Sequence, residues 1–433
     1  MYRIFLLLSL AMVLASAPVH IQALDTVELP DVIVTATKEN KAKSKSFYTV
    51  GKVDQKEISD TGPSHPSEVL NKKAGVYINN LGGESHMTSI RGPISTTGLY
   101  LFLENNLPTR PSGFFNHNAL YEINVPQAAS IEVTKGTGSA LYGSDSIGGI
   151  INILSKPIGD KKTLSINPEL GAHGWKRALL SATDRIKLFD TGIRFDMNVT
   201  DTNGYRENSD FSRVSSTLTL EQFFGDNIRS NTITSFTTVD QSGVSSLEIE
   251  DYTHTPQKNL YANNIGFRKL EATRISSAID IETGNTQLIS ITPFYRNNIL
   301  TMMPSWMVTY DPNIRTTSFQ SYGFQSRLRQ HMPDINSSIF IGLDLDYSPS
   351  TYQEDKISVT KVGDIFSSYT KTGQQLYDYT ANQLSLSPYV HYEWQVSNPI
   401  QVMAGLRYDL VNIDYKTNLS SSEKIGFTTY NRP

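Results

Sequence analysis

S-I-E-V-T-K-G-T-G-S-A-L-Y-G-S-D-S-I-G-G-I-I-N-I-L-S-K, residues 130–156, decides how this chain is read. Two short apolar β-type runs, Ile131–Val133 and Ile150–Leu154, enclose Gly136, Gly138, Gly143, Gly148 and Gly149. Glycine is the default where backbone takes positive φ or approaches another segment closely. Ser139–Tyr142 between them has no breaker and has room for one helical turn. The expectation is strand, tight turn, one turn of helix, double-glycine bend, strand. A phosphate loop is excluded, because Ser144 and Asp145 follow Gly143 where Lys and Ser/Thr are required. The dinucleotide pattern fails as well, with Leu141 where its third glycine belongs.

The same residues resemble the end of the plug domain of TonB-dependent outer-membrane receptors, I-E-x-x-x-G-P-x-S-x-x-Y-G-x-x-A-x-G-G-x-I-N-I. Ile131, Glu132, Gly136, Ser139, Tyr142, Gly143, Gly148, Gly149, Ile151, Asn152 and Ile153 match. Thr137 replaces the family's proline and Lys135 its usual arginine. The resemblance implies an N-terminal α+β plug followed by an antiparallel transmembrane β-barrel, and it marks Arg91, Gly92, Glu132, Gly136, Tyr142, Gly143, Gly148, Gly149 and Asn152 as structural plug positions.

Upstream, Arg3 and the apolar run Ile4–Leu14 read as a signal peptide over residues 1–23, too short to span a bilayer as a helix. Export is expected, with cleavage after Ala23. The chain has 433 residues, a net charge of −4 and no cysteine, which leaves no basic footprint for nucleic acid, no disulfide and no thiolate metal site. Residues 24–47 follow as a tether. Its β-branched run Val32–Thr35 favours an extended conformation and precedes a stretch rich in Lys, Ser and Ala. Such a segment can add itself as a strand to a partner's sheet edge. Asp31, Val32, Ile33, Val34, Thr35 and Ala36 also resemble the TonB box, which implies the periplasmic domain of TonB as partner; an ordinary first strand of the plug is the alternative.

The plug is expected over residues 48–157. Tyr48–Val53 reads as a strand and Ser64–Lys73 as a short helix, with Pro66 in its first turn and Gly75 past its end. Val76–Ile78 and Leu99–Leu103 read as strands. Glu104-Asn105-Asn106-Leu107-Pro108 stands where the family has V-D-G-x-P, and asparagine tolerates the left-handed turn. Arg91 and Glu132 are candidates for ion pairs inside the barrel, with a plain surface position the alternative for either. Asn79–Met87 and Thr109–Asn118 are expected as outward apices, offering Glu84, His86, Arg110, Phe114, Phe115 and His117 to a ligand. Paired aromatics beside a cation suit a negatively charged ferric chelate.

From Lys161 the pattern changes to strict alternation. Ile, Phe, Met and Val of Ile193–Val199 oppose Arg194, Asp196 and Asn198; Ile339, Ile341, Leu343, Leu345 and Tyr347 oppose Gly342, Asp344 and Asp346; Val402, Ala404, Leu406 and Tyr408 oppose Gly405, Arg407 and Asp409. One side meets an apolar medium and the other water. With a plug ahead of it, residues 158–433 read as a partial barrel facing outer-membrane lipid, and Tyr392, Trp394 and Tyr408 fit its aromatic girdle. Gln241–Asn259 and Tyr347–Asn382 read as long extracellular loops, Asp226-Asn227 and Gly284-Asn285 as short periplasmic turns. Met302–Tyr310 is loop or strand. Roughly ten to thirteen strands of ~9–11 residues fit here, about half of a plugged barrel of about 22. The expectation is therefore an N-terminal portion of a longer receptor.

Functionally, the resemblance implies TonB-dependent import of a scarce nutrient complex by a monomer, with a ferric siderophore or other iron chelate first. The alternatives are a cobalamin or haem receptor of the same class, a passive outer-membrane binding protein, and a non-functional truncated remnant. H-E-x-x-H, G-x-S-x-G and a cysteine nucleophile are all missing, so no catalytic residue, cofactor or resident metal is expected.

Overall fold

The structure is a computed structural model that describes residues 32–35, 41–43, 46–113, 118–186, 190–419 and 426–432. Its first part is a small mixed unit. Strands β1 (Val32–Ile33) and β2 (Lys41–Ala42) pair with each other. Strands β3 (Val50–Asp54), β4 (Val76–Asn80), β5 (His86–Ile90), β6 (Tyr100–Glu104), β7 (Leu107–Pro108), β8 (Ala128–Lys135) and β9 (Gly149–Ser155) follow. Five of them form one sheet in the order β3-β8-β9-β6-β7, with only β6 and β9 parallel, and β4 pairs with β5.

Helix α1 (Gln55–Thr61) starts where the Asp54 carboxylate accepts the Glu57 N–H at 2.7 Å, and it stops at Gly62 in left-handed backbone. Helix α2 (Ser67–Leu70) begins directly after Pro66, and helix α3 (Ser139–Tyr142) is the single turn between β8 and β9. The expected strand–turn–helix–bend–strand sequence is thus present. Two of its glycines are required. Gly143 ends α3 with φ +76°, and a side chain on Gly148 would stand 2.6 Å from the Tyr100 ring. The plug core is apolar: Val53, Ile58, Leu70, Phe102, Ile131, Val133, Ile151 and Ile153 are all buried in one cluster. At about 25 cal/mol per Å² of apolar surface, such burial is what holds this unit together.

Thirteen strands make the second part: β10 (Thr163–Leu170), β11 (Lys176–Ile186), β12 (Thr191–Thr202), β13 (Phe211–Phe224), β14 (Ile228–Ser242), β15 (Phe267–Thr283), β16 (Gln287–Met303), β17 (Asn313–Met332), β18 (Ser337–Val362), β19 (Ile365–Ser397), β20 (Ile400–Arg407), β21 (Asp409–Thr417) and β22 (Gly426–Arg432). Each is antiparallel to its neighbour, and β20 and β21 pair with successive parts of β19. The wall is open among the described residues, with β10 and β22 at its two edges.

Alternation sorts the wall's side chains as expected. Ile341, Tyr347, Val402, Leu406 and Tyr408 are exposed outward, as is Trp394. Ser215, Thr217, Arg213 and Asn198 are buried on the inner face, against the plug. Turns at Gly225 and Gly284 are short, as anticipated, whereas 243–266 is a long connection carrying helix α4 (Ile249–His254). Met302 and Met303 end β16 and a single 3-10 turn, Ser305–Met307, follows.

One expectation is corrected. Tyr347–Asn382 is not a loop but most of the β18–β19 hairpin, paired from Ser348↔Gln383 out to Val362↔Ile365. These strands have 26 and 33 residues, far beyond the roughly 9–11 that cross a bilayer. The hairpin therefore projects past the lipid, where both faces meet water and the apolar side of the alternation fades. Near its tip Ile357 packs with Tyr261, Ile265, Met303 and Val308 from the neighbouring long connections.

Candidate functional site

Residues 32–35 of the tether lie against the plug at the end of the wall that carries the short turns. Ile33 and Thr35 are buried. Lys52 donates to the Val32 carbonyl at 2.6 Å. The Val34 and Thr35 N–H groups both donate to the Glu132 carboxylate, the latter at 2.7 Å. Asp31 and Ala36 lie outside the described residues.

Between plug and wall two small apolar clusters, around Tyr389 and around Tyr121 and Phe211, stand beside a set of ion pairs. Glu84 pairs with Arg213 of β13 at 2.9 Å. Arg110 pairs with Glu122 at 2.6 Å, Glu122 with Arg274 of β15 at 3.3 Å, and Arg274 with Glu104 at 2.7 Å. All these side chains are buried, and burial inside a plugged cylinder demands such partners. Arg268 completes the group: it is buried, stands 5.0 Å over the Tyr121 ring and bonds Ser85, with no carboxylate partner among the described residues. Burial works against the charged form of Arg110, but the adjoining Glu122 carboxylate, with the Tyr121 hydroxyl, outweighs it and raises the guanidinium's pKa above its ordinary value.

This placement corrects the expectation for three apex residues. Glu84 and Arg110 are committed to ion pairs, and His86 is buried with its ring nitrogens on the Glu84 carbonyl and the Leu120 N–H. They fasten the plug rather than face outward. The wall's inner arginines supply the reason, since a plug facing Arg213 and Arg274 needs carboxylates at that surface. Phe114, Phe115 and His117 lie outside the described residues. Arg91 is exposed and forms no ion pair among the described residues, whereas Glu132 is fully buried and spends its carboxylate on backbone N–H groups and one hydroxyl. Gly92 is exposed after Arg91; Gly136 and Gly149 take positive φ, and Asn152 is buried beside Glu132.

Sequence reasoning missed the aromatic residues of the lumen above the plug. Tyr352 of β18 shares its face with Ser348, Ser350 and Glu354, all buried, and with Asp346, which pairs with Arg296. It stacks on Tyr379 at 5.2 Å, stands 6.2 Å from Tyr377, and Tyr379 meets Tyr415 at 5.0 Å. Four tyrosines of β18, β19 and β21 thus form a continuous inward ladder toward the long-loop end. Their period of two was the available signal, hidden by reading 347–382 as a loop. A cleft between plug and wall lies below, beside Arg110, Tyr142, Asp145, Asp344 and Arg407. Among the described residues no three His, Asp or Glu side chains gather to hold a metal.

Residues 42–150 match the family model described as the TonB-dependent Receptor Plug Domain. Among curated proteins the chain is similar to the Vitamin B12 transporter BtuB of Vibrio vulnificus strain CMCP6, 30% identical over 181 residues, which is 41% of this chain and 29% of that protein. It is also similar to BtuB of Vibrio cholerae serotype O1 strain M66-2, 28% identical over 153 residues, 35% of this chain and 24% of that one. Its fold is that of the unliganded ferric citrate transporter FecA, with a TM-score of 0.76 at 15% identity, covering 90% of this chain and 60% of FecA. The pyoverdine outer membrane receptor FpvA of Pseudomonas aeruginosa PAO1 gives 0.74 at 13% identity, covering 92% and 62%. The chain therefore aligns with less than two thirds of each of these proteins. Plug, outward apolar wall and inward polar wall agree with both comparisons, and proteins of this kind are receptors and transporters, not enzymes. Residues 42–150 carry the plug domain of the TonB-dependent receptors, and the chain has the fold of the corresponding part of an outer-membrane receptor of that kind.

Proposed function

We propose that this receptor, acting as a single copy, imports a scarce nutrient complex across the outer membrane by coupling to the periplasmic domain of TonB, with a ferric chelate as cargo. The observation that carries the reading is the placement of two different recognition features at opposite ends of the lumen. Residues 32–35, of which Val32–Ile33 form a strand, lie at the short-turn end, close to the region of Tyr48 and Glu393. The tyrosine ladder lies toward the long-loop end. Extended main chain suits strand addition to a partner's sheet edge. Stacked rings with phenolic hydroxyls suit a flat, oxygen-rich chelate, and Phe114, Phe115 and His117 are the plug's own candidates for that ligand. FecA and FpvA, which share the fold, are described as a ferric citrate transporter and a pyoverdine receptor.

Deleting residues 31–36 from the full-length receptor tests the coupling. Uptake of radioiron chelate is expected to vanish while binding to whole cells persists; persistence of uptake marks a passive binding protein. Cobalamin is the second reading, favoured by the 30% identity to a vitamin B12 transporter. Uptake of cobalamin, but of no ferric citrate, catecholate or hydroxamate chelate, selects it.

A further inference from the structure

Plug and wall meet differently in two sectors of the described wall. Along β13–β15, Arg213 and Arg274 take plug carboxylates, and Tyr121 of the plug is buried among Phe211, Val239, Leu270 and Ala272. Along β18–β21 a cleft of about 650 Å³, open to the lumen, lies between them. Its charged groups are paired within the wall: Arg407 with Asp344 at 2.8 Å and with Asp409 at 2.7 Å, and Arg296 with Asp346. In the apolar cluster beneath it the wall contributes Tyr389, and the plug Leu101, Leu141 and Tyr142.

One face of β19 strings these features together. Residues 377, 379, 385, 387 and 389 lie on the same side of the strand at a period of two. Tyr377 and Tyr379 belong to the tyrosine ladder, and Ser385 and Ser387 line the cleft. Tyr389 follows below, toward the short turn that joins β19 to β20.

The plug's single-turn helix α3 closes this floor. Its Leu141 and Tyr142 are buried in one cluster with Tyr389, and the Leu141 carbonyl accepts from Arg407 Nη1 at 3.4 Å. Gly405 of β20 makes room for the helix, since a Cβ there would stand 2.9 Å from the Ala140 Cβ. The helix hangs between bends at Gly136 and Gly143, both at positive φ, where backbone rotation meets least steric hindrance. Moving α3 off its seat exposes Leu141 and Tyr389 and leaves the wall's own ion pairs intact. Freeing the plug along β13–β15 instead breaks three buried ion pairs, each costly to leave half-made.

We propose that this cleft is the cargo's transit site past the plug. The cargo leaves the tyrosine ladder along the inner face of β19 and rests between the Ser385 and Ser387 hydroxyls and the Arg407 guanidinium. It passes when α3 lifts from Tyr389 and Gly405 while the plug stays fastened to β13–β15. Serine hydroxyls and paired charges suit an oxygen-rich, polar complex rather than an apolar one. The proposal rests on the import reading above.

Residues 1–433 contain no cysteine, so an introduced pair forms a defined disulfide. Ala140→Cys with Gly405→Cys in the full-length receptor clamps α3 to its seat, the two Cβ atoms coming within disulfide reach after a small shift. Glu84→Cys with Arg213→Cys, bridged by a short bis-thiosulfonate, clamps the β13–β15 sector, and each clamp is compared with its own unbridged form. Whole cells receive radiolabelled ferric citrate, a ferric catecholate, a ferric hydroxamate and cobalamin. For whichever probe is taken up, oxidising the α3 pair is expected to lower uptake about tenfold or more, with surface binding unchanged and recovery on reduction. Bridging positions 84 and 213 should change uptake less than about twofold. Undiminished uptake with α3 clamped overturns the transit site. Equal loss in both clamps overturns it as well, because the plug then moves as one body. Ser387→Cys adds a graded test: methyl and then benzyl thiosulfonate adducts should reduce uptake in order of size, and indifference to size overturns the route. An unsubstituted receptor that binds a probe and takes up none overturns the import reading and the transit site with it, a result distinct from uptake that survives the clamp.

Discussion

Plug and wall are built with opposite polarity. In the plug, Phe102, Ile131, Val133 and Ile151 are inside and the charges lie on the surface. In the wall, Ile341, Val402 and Leu406 are outside while Arg213, Arg274 and Arg296 are buried. Where the two meet, buried charge pairs stand beside two small apolar clusters, one joining Tyr121 to Phe211, Val239 and Leu270 and the other joining Leu101 and Leu141 to Tyr389. The charge pairs make the contact sensitive to single charge deletions.

The largest effect is therefore expected at Glu122, which serves Arg110 and Arg274 together. Glu122→Leu leaves two buried guanidiniums short of a partner, and about 3–5 kcal/mol of plug stability should be lost in a urea titration followed by proteolysis of the plug. Adding Arg274→Met should restore part of it. An unchanged midpoint in Glu122→Leu would mean that apolar contacts carry the interface.

On the other side of the wall, Ile341 is half exposed. Ile341→Arg is expected to cost about 2–4 kcal/mol if it lies near the bilayer midplane, read as the folding equilibrium in lipid vesicles. A surface residue facing water tolerates such a change within about 0.5 kcal/mol. The contrast decides directly what medium this face meets.

Turns offer a finer comparison. The wall uses glycine at Gly225, Gly284 and Gly363, all at positive φ with open space around them. The plug uses Asn105 and Asn106 in the same left-handed region, at φ +52° and +68°. Asn106 accepts from Asn152 at 2.8 Å and donates its N–H back at 3.1 Å. Asn106→Ala should cost about 2 kcal/mol, combining left-handed strain with a lost hydrogen bond. Gly284→Asn should stay within about 0.5 kcal/mol. Thermal unfolding of both variants checks the pair.

Legibility followed the same division. The plug's glycine bends, the Pro66 helix start, the Asn105-Asn106 turn and the wall's alternation were all local and could be read from spacing. The wall's outward face was visible because lipid imposes an uninterrupted period of two. Beyond the lipid that constraint disappears, and the long β18–β19 hairpin was read as loop, which concealed the tyrosine ladder. The placement of Glu84 and Arg110 was hidden for a different reason. Glu84 meets Arg213, 129 residues away, and Arg110 meets Glu122, whose second partner Arg274 is 152 residues further on. Glu132 was marked by its motif, but its partners on the tether belong to a different part of the chain and no periodicity points to them.

The smallest effect separates the two regions by pH. His65 is buried in the plug, where its Nδ1 accepts the Ser67 N–H at 3.1 Å and faces the Ser67 hydroxyl at 2.8 Å. Burial pushes its pKa below the ordinary histidine value, and the nearby Glu84 and Glu68 charges offset this only in part. The folded plug thus keeps His65 neutral while the unfolded chain takes a proton near pH 6.5. More protons on the unfolded side mean that stability rises with pH. His65's contribution is fully present above about pH 6.5 and is lost as pH falls through the depressed folded value. Plug protection against protease should therefore weaken on acidification from pH 7.5 to about 5 while the wall's heat-resistant migration stays level. His65→Gln should flatten the plug's slope below pH 6.5, and an unchanged slope in that variant would remove His65 from the account.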